Sequence, residues 1–385
     1  MDIVGENPIQ LILFFTLYGI TGVVPLIAAL YLLLRRANAI APGVTPPVRL
    51  RCWTASFFVV SSLAHVWWLL FYIYSGDLQS VSYLLLVMLD FVTLFTTFAG
   101  MLLAMLQDRR RSVRPALTAM IPFMALWGAF MVYPNDLIEL IAGVYLLLLG
   151  LVFTIYMVLA IRQYSRWLND NYADLENKKV WLCQAVALVC MLLFVLYVLA
   201  TNMVLIWLVH IIELVFVVLL LWRVETLPQL DSPMEGESNV LAQDTSNLIP
   251  ADAPASSHSS TPQPAAPVTI DLAQIERLLN EHCVAPQLYL KHDLSLQELA
   301  QAVGTNRYYL SQYFSRQGIT YNTFINNLRI NNFISRYEEA VAAGQSVVAQ
   351  ELAYESGFGS YRTFSRAFTQ RMGQNVTDWI GEREG

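Results

Sequence analysis

Hydrophobic and polar positions follow two different patterns along the chain. From residue 9 to about residue 222 the apolar residues form long runs, whereas from about residue 224 they recur at helical spacing between polar positions. A helix needs about 20 apolar residues to cross the hydrocarbon core of a bilayer. Runs of this length predict seven membrane-spanning helices, at residues 9–34, 53–74, 81–106, 115–133, 137–161, 180–200 and 203–222.

Basic residues lie in alternate loops of this pattern. The first, third and fifth loops contain arginine or lysine, and Arg223 follows the last run, whereas the N-terminal tail and the other loops contain neither. By the positive-inside rule, the N-terminus then lies outside and the C-terminus in the cytoplasm. This arrangement requires an odd number of spans and indicates a multi-pass protein of the bacterial cytoplasmic (inner) membrane.

A few ionisable residues fall inside the predicted spans, where charge is costly and often marks a functional site. Asp90 lies near the middle of the third span, and His210 and Glu213 share one face of the seventh because they are three residues apart. One hypothesis is a membrane sensing site for a ligand or a proton, made by Asp90, His210 and Glu213. The alternative is pairing between helices without any ligand.

Other chemistry is not indicated by the sequence. The four cysteines form no CxxC pair and show no metal-ligand spacing. The chain has no phosphate-binding loop and no evident nucleophile–base pair. We therefore expect no metal, no cofactor and no enzymatic activity.

A polar segment separates the apolar region from the remainder of the chain. Residues 225–268 include seven prolines and six acidic residues but no lysine or arginine. Such a composition predicts a disordered tether. The expected domains are thus a seven-span membrane domain at 1–223, a linker at 224–268 and a cytoplasmic helical domain at 269–385.

The C-terminal domain contains a repeated pattern. Ser295 and Glu298 form a capping-box signature that opens a short helix, and Gly304 marks a turn before the next helix. Leu299, Ala300 and Gly304 recur 53 residues later as Leu352, Ala353 and Gly357, and Leu310 and Phe314 recur 54 residues later as Phe364 and Phe368. The predicted fold is therefore all-α, with two helix-turn-helix motifs joined by a long helix at 320–343.

The segments LSLQELAQAVGTNRYYLSQYF and ELAYESGFGSYRTFSRAFTQRMG, with Arg329 between them, resemble the DNA-binding domain of AraC/XylS-type transcription regulators. The resemblance covers residues 285–380 approximately. It implies two recognition helices that enter adjacent segments of the major groove. The sequence departs from the family pattern at Ala349, where a larger aliphatic residue is usual, and after Gly373, where a proline is usual.

The exposed faces of the two recognition helices supply the expected DNA contacts, although solvated polar faces would look similar. Arginine can pair with guanine, glutamine with adenine, and serine or threonine with phosphate or base. Asn306 and Ser360 are expected to cap the helices and to donate to phosphate. The candidate DNA-binding residues are Asn306, Arg307, Tyr308, Ser311, Gln312, Ser360, Tyr361, Arg362, Thr363, Ser365 and Arg366.

These features favour a membrane-anchored one-component transcription regulator. Its expected partners are double-stranded DNA, the lipid bilayer, RNA polymerase, an unidentified small-molecule or membrane signal, and a second copy in a homodimer. Because the linker is flexible, dimerisation, clustering or proteolytic release would transmit a signal better than rigid rotation. The alternatives are a transporter or other membrane module with an appended regulatory domain, and a passive anchor that senses nothing.

Overall fold

The computed structural model describes residues 8–74, 80–176, 178–180, 184–185, 187–189, 203–230 and 272–384. The chain divides into two compact units, which we call the membrane unit (1–164 and 179–235) and the C-terminal unit (165–178 and 236–385). The described residues form helices and no strand, with one isolated antiparallel bridge between Tyr172 and Ser295. The predicted all-α fold is confirmed.

The described part of the membrane unit contains six helical segments long and apolar enough to cross a bilayer. They match the first five predicted spans and the seventh. The predicted span at 180–200 lies largely outside the described residues. The helices are α1 (Pro8–Leu34), α2 (Val48–Tyr74), α3 (Val81–Met105), α4 (Arg114–Thr118), α5 (Ile121–Val132), α6 (Asp136–Asn171) and α7 (Met203–Thr226).

The membrane unit is built around α1, α2 and α3. Helix α2 packs against α1 and α3, and α7 packs against α1 and α2. Phe123 of α5 and Phe153 of α6 contact aromatic rings of α3. Many apolar side chains still face outward, for example Leu147, Leu151 and Val152 of α6. Exposed apolar surface of this extent fits contact with lipid.

The fourth predicted span consists of two helices. Helix α4 ends at Thr118 and α5 begins at Ile121, so the break precedes Pro122, which lies in the first turn of α5. Proline has no backbone N–H and is therefore compatible with a helix start but not with a helix interior. Pro122 therefore accounts for a helix boundary inside the fourth predicted span.

Helix α6 is longer than the predicted span at 137–161. Its 36 residues extend about 54 Å at about 1.5 Å per residue, whereas the hydrocarbon core of a bilayer is about 30 Å thick. The polar residues after 161 therefore continue the helix beyond the length needed for one crossing. Residues Ser165–Lys178, which include the end of α6, belong to the C-terminal unit.

The basic loops of the membrane unit meet at one end of its helices. A buried ion pair joins Arg35 and Glu225, with 3.1 Å between Nη2 and Oε2. The third loop contributes Gln107, whose side chain accepts from the backbone N–H of Leu230 at 2.9 Å. Helix α7 thus continues past residue 223, and the first residues of the predicted linker pack against the membrane unit.

The C-terminal unit has two hydrophobic cores, one for each predicted motif. Leu310 and Phe314 are buried in the first core, and Phe364 and Phe368 are buried in the second. Its elements are α8 (Leu272–Leu279), a π-helical turn (Asn280–Val284), a 3₁₀ turn (Leu288–Leu290), α9 (Leu296–Val303), α10 (Arg307–Arg316), α11 (Tyr321–Ala342), α12 (Ala349–Glu355), α13 (Tyr361–Met372) and α14 (Val376–Glu384).

The two motifs have the predicted local structure. Ser295 and Glu298 form the reciprocal capping box at the start of α9. Gly304 and Gly357 have φ angles of 71° and 90°, which are unfavourable for residues with a side chain. The structure therefore confirms two helix-turn-helix motifs, α9–α10 and α12–α13, joined by the long helix α11.

Arg329 connects the two cores from the middle of α11. Its Nε donates to the Tyr289 carbonyl at 2.7 Å, and its Nη2 donates to the Lys291 carbonyl at 2.7 Å. The guanidinium also lies 5.7 Å from the ring centroid of Phe358, in the second core. Burial lowers the pKa of Arg329, and the nearby Tyr321, Asp174 and Asp293 oppose this shift in part. This arrangement fixes both motifs to one helix.

Candidate DNA-binding surface

The first recognition helix, α10, has a capped start and a polar outer face. The side chain of Asn306 accepts from the Tyr308 N–H at 2.7 Å, as the sequence predicted. Ser311 and Tyr308 are exposed, and Gln312 donates to the Tyr308 hydroxyl at 2.7 Å. Tyr308 and Gln312 thus lie on the side of α10 opposite its buried Leu310, with the exposed Ser311 beside them.

The second recognition helix, α13, is capped by Ser360, whose hydroxyl accepts from the Thr363 N–H at 3.2 Å. Arg362 and Arg366 are exposed one helical turn apart. No acidic residue occurs between 360 and 371, so this face carries local positive charge although the C-terminal region is not basic overall. A shallow concave surface along it is lined by Tyr361, Arg362, Ser365, Arg366, Thr369 and Gln370.

A segment from the end of α6 packs into the C-terminal unit. We call residues 165–178 the α6 extension. Ala173 is fully buried in the first core, and its backbone N–H donates to the Leu294 carbonyl at 3.2 Å. Asn322 of α11 donates to the Ala173 carbonyl at 2.6 Å, and Lys178 forms an ion pair with Asp293 at 2.8 Å. The α6 extension is therefore an integral part of the described C-terminal unit.

The α6 extension contacts the start of both recognition helices. Arg307 of α10 donates to the Asn171 side-chain oxygen from Nε at 3.0 Å and from Nη2 at 2.5 Å. The Glu176 carboxylate accepts from the hydroxyls of Ser360 and Thr363, the latter at 3.2 Å. Three predicted DNA-binding residues are thus engaged by this segment.

Asp174 lies against the turn before α13. A side chain added at Gly359 would clash with the Asp174 carboxylate. Asp174 and Glu176 therefore place two acidic groups at the beginning of the second recognition helix. That helix end carries partial positive charge and unpaired N–H groups, which attract anions.

A family model described as a helix-turn-helix domain matches residues 299–381. This region is an AraC-type helix-turn-helix domain. It contains both motifs and α11, in agreement with the resemblance found in the sequence. No curated protein and no solved structure matched the chain. The match supports binding to double-stranded DNA and a role in transcription regulation.

Sequence reasoning missed the residues of the α6 extension. Asn171, Asp174 and Glu176 lie in the fifth predicted loop, whose basic residues indicate only the orientation of the spans. Their contacts with α10 and α13 join positions more than 130 residues apart, so no local pattern could pair them. The available signal was a loop that carries acidic residues although positive charge is typical of its side of the membrane.

The structure brings two of the three residues of the predicted membrane sensing site into contact with each other. Asp90 accepts hydrogen bonds from the indole N–H groups of Trp67, at 2.9 Å, and Trp68. His210 and Glu213 lie together on α7, with 3.7 Å between Nδ1 and Oε2. Their further neighbour is His65 of α2, which the sequence did not associate with them because it belongs to another helix.

Proposed function

We propose that the protein is a membrane-anchored, one-component transcription regulator. The helix-turn-helix domain binds a specific site on double-stranded DNA through the polar faces of α10 and α13. The observation that carries this proposal is the pair of capped recognition helices fixed to one linking helix. The proposed contacts are Asn306, Arg307, Tyr308, Ser311, Gln312, Ser360, Tyr361, Arg362, Thr363, Ser365 and Arg366.

Arg362 and Arg366 carry most of the base recognition in this proposal. Both are exposed on the concave face of α13, and arginine can donate two hydrogen bonds to one guanine. Asn306 and Ser360, at the helix starts, position the domain on phosphates. A homodimer would join two such half-sites and compensate for the weak overall attraction of a domain that is not basic.

The α6 extension is the proposed control element. Glu176 accepts from two hydroxyls at the start of α13, where a DNA phosphate would otherwise bind. Asn171 holds the guanidinium of Arg307 in the same way. In this state the segment competes with DNA, so binding requires its displacement.

The α6 extension is covalently continuous with a membrane helix. The α6 extension follows Tyr164 in the same helix, whereas the segment after Leu230 is a separate connection. A signal in the membrane would therefore act on the α6 extension and need not pass through the linker. Asp90, His210 and Glu213 remain the proposed sensing residues, and RNA polymerase remains the proposed downstream partner.

Replacing both arginines tests DNA recognition directly. Each base contact contributes about 1–3 kcal/mol, so Arg362→Ala/Arg366→Ala should weaken specific binding at least about 30-fold. The assay uses the full chain in nanodiscs with a duplex selected from a random pool by the wild type. Arg277→Ala/Arg336→Ala is the control, because it removes equal charge from other helices.

Equal loss in both double variants would contradict base recognition by α13 and indicate general electrostatic attraction. The same preparation separates the competing function. Solute uptake by liposomes containing the chain, unaffected by Arg362→Ala/Arg366→Ala, would favour a transporter with an appended regulatory domain. Absence of uptake with sequence-specific DNA binding supports the proposed regulator.

A further inference from the structure

Three potential metal ligands meet between α2 and α7 in the membrane unit. His65 is on α2, and His210 and Glu213 are on α7. One ligand atom from each lies within 4.8 Å of the others. Glu213 Oε2 is shared, since it is 3.7 Å from His65 Nε2 and 3.7 Å from His210 Nδ1. The two imidazoles therefore converge on one carboxylate oxygen.

The neighbours of His65 fix which of its nitrogens faces this point. The Nδ1 atom donates to the carbonyl of Ser61 at 2.9 Å, because a carbonyl can only accept. In the neutral imidazole, Nε2 then carries the lone pair and is directed at Glu213. Metal-binding histidines in proteins are commonly oriented by such a hydrogen bond from the other ring nitrogen.

His210 has a buried ring nitrogen that makes no hydrogen bond within the described residues. Its side chain is buried, and Nδ1 has no hydrogen-bond partner. A buried nitrogen of this kind costs free energy unless a proton donor or a cation satisfies it. Because Nδ1 points to the same carboxylate oxygen as His65 Nε2, one cation between them would satisfy both.

The separations fit a metal better than a direct ion pair. A hydrogen bond from an imidazolium to a carboxylate spans about 2.7–2.9 Å, shorter than either 3.7 Å distance. Ligand atoms of a tetrahedral zinc ion, each about 2.0–2.2 Å from the metal, lie about 3.3 Å apart. The two nitrogen–oxygen separations would therefore need to shorten by only a few tenths of an ångström.

Neighbouring side chains hold all three candidate ligands in place, as is usual around metal sites in proteins. Ser61 donates from Oγ to the other oxygen of Glu213 at 2.8 Å, which leaves Oε2 for the cation. The ring of Tyr18 from α1 packs against both imidazoles, at 4.9 Å from His65 and 5.6 Å from His210. Three helices thus define the ligand positions.

We propose that His65, His210 and Glu213 bind a divalent transition-metal ion of the zinc class. Two imidazole ligands disfavour Mg²⁺ and Ca²⁺, because these cations prefer oxygen ligands. Three protein ligands leave a fourth position for water or an external group. His210 lies about 10 Å along the axis from the start of α7 at about 1.5 Å per residue, so the site is near that end of the helix. This proposal replaces the sequence-based expectation that the chain binds no metal.

The test measures metal binding and does not depend on DNA binding. The full chain, purified in nanodiscs without a histidine tag, is treated with a chelator and titrated with Zn²⁺ in equilibrium dialysis. We expect one high-affinity Zn²⁺ per chain, which His65→Ala, His210→Ala and Glu213→Gln each abolish. His282→Ala/His292→Ala, which changes two histidines of the C-terminal unit, should bind like the wild type.

Two further measurements guard against loss of folding in the variants. Ser61→Ala keeps all three ligands and should lower Zn²⁺ affinity about 10- to 100-fold, as loss of a supporting hydrogen bond does. X-ray absorption of the wild type with Zn²⁺ should show nitrogen and oxygen ligands only. Sulfur in the coordination sphere, no bound Zn²⁺, or unchanged binding in the three ligand variants would overturn the proposal.

Discussion

Asn171→Ala should increase DNA binding by releasing the first recognition helix. The Asn171 oxygen accepts two hydrogen bonds from the Arg307 guanidinium, at 3.0 and 2.5 Å. Hydrogen bonds to charged groups contribute about 1.5–3 kcal/mol. In most molecules Asn171 then holds Arg307, and removing this stabilisation raises the fraction of molecules that can bind DNA. The apparent DNA affinity should rise with it, roughly 10- to 150-fold.

The assay is fluorescence anisotropy with the full chain in nanodiscs and a selected duplex. Asn169→Ala is the matched control, because two residues along a helix place its side chain on the opposite face. Asn171→Asp should act in the other direction, since a carboxylate pairs more strongly with the Arg307 guanidinium. An Asn171→Ala variant with wild-type affinity, or an Asn171→Asp variant with increased affinity, would refute the proposed competition.

Three further predictions concern the C-terminal unit and are measured by urea denaturation followed through hydrogen exchange of residues 272–384. Gly357→Ala should lower the free energy of unfolding by about 2–5 kcal/mol, because its φ is 90° and the added carbon would lie 2.8 Å from the Leu290 backbone. The control Gly304→Ala, whose added carbon meets no atom within 4 Å, should lower it by only about 1–2 kcal/mol. Equal effects of the two substitutions would contradict the packing argument. Ser295→Ala should cost about 1 kcal/mol through loss of the helix cap, and an unchanged stability would show that the cap is dispensable. Burial raises the pKa of the Cys283 thiol to about 11, above its ordinary value near 8.5. The free energy of unfolding should therefore fall as pH rises between these values, by up to about 1.4 kcal/mol per pH unit. Cys283→Ala should remove this pH dependence, and identical pH profiles of the variant and the wild type would contradict the prediction.

Local signals predicted most of the C-terminal unit. The Ser295–Glu298 pair specifies its own helix start, and Gly304 and Gly357 specify turns through their backbone conformation. The spacing of Leu310 and Phe314 places both on one helix face. These properties depend on residues within one or two helical turns, so the amino-acid sequence determines them without knowledge of distant contacts.

The membrane helices were predictable by length and hydrophobicity, but their ends were not. Hydropathy located α6 but ended it at residue 161, because the residues through Asn171 are polar while remaining helical. Hydropathy also predicted residues 115–133 as one span, whereas a new helix begins at Ile121, just before Pro122. Both differences arise because hydropathy predicts membrane burial and does not report where helices end.

Contacts between distant segments could not be predicted. Asn171 and Arg307 are 136 residues apart, and Ser61 and Glu213 are 152 residues apart. Hydropathy and motif spacing contain no information on such pairs. The α6 extension over the recognition helices and the addition of His65 to the membrane cluster therefore required the three-dimensional structure.

Genome-wide mapping of bound DNA in living cells tests the central claim most directly. The chain should occupy discrete sites, and Arg362→Ala/Arg366→Ala should abolish that occupancy while leaving the protein in the membrane. Asn171→Ala should increase occupancy at the same sites. Absence of discrete sites, or occupancy that persists unchanged in the double arginine variant, would contradict a membrane-anchored regulator that recognises DNA through α13.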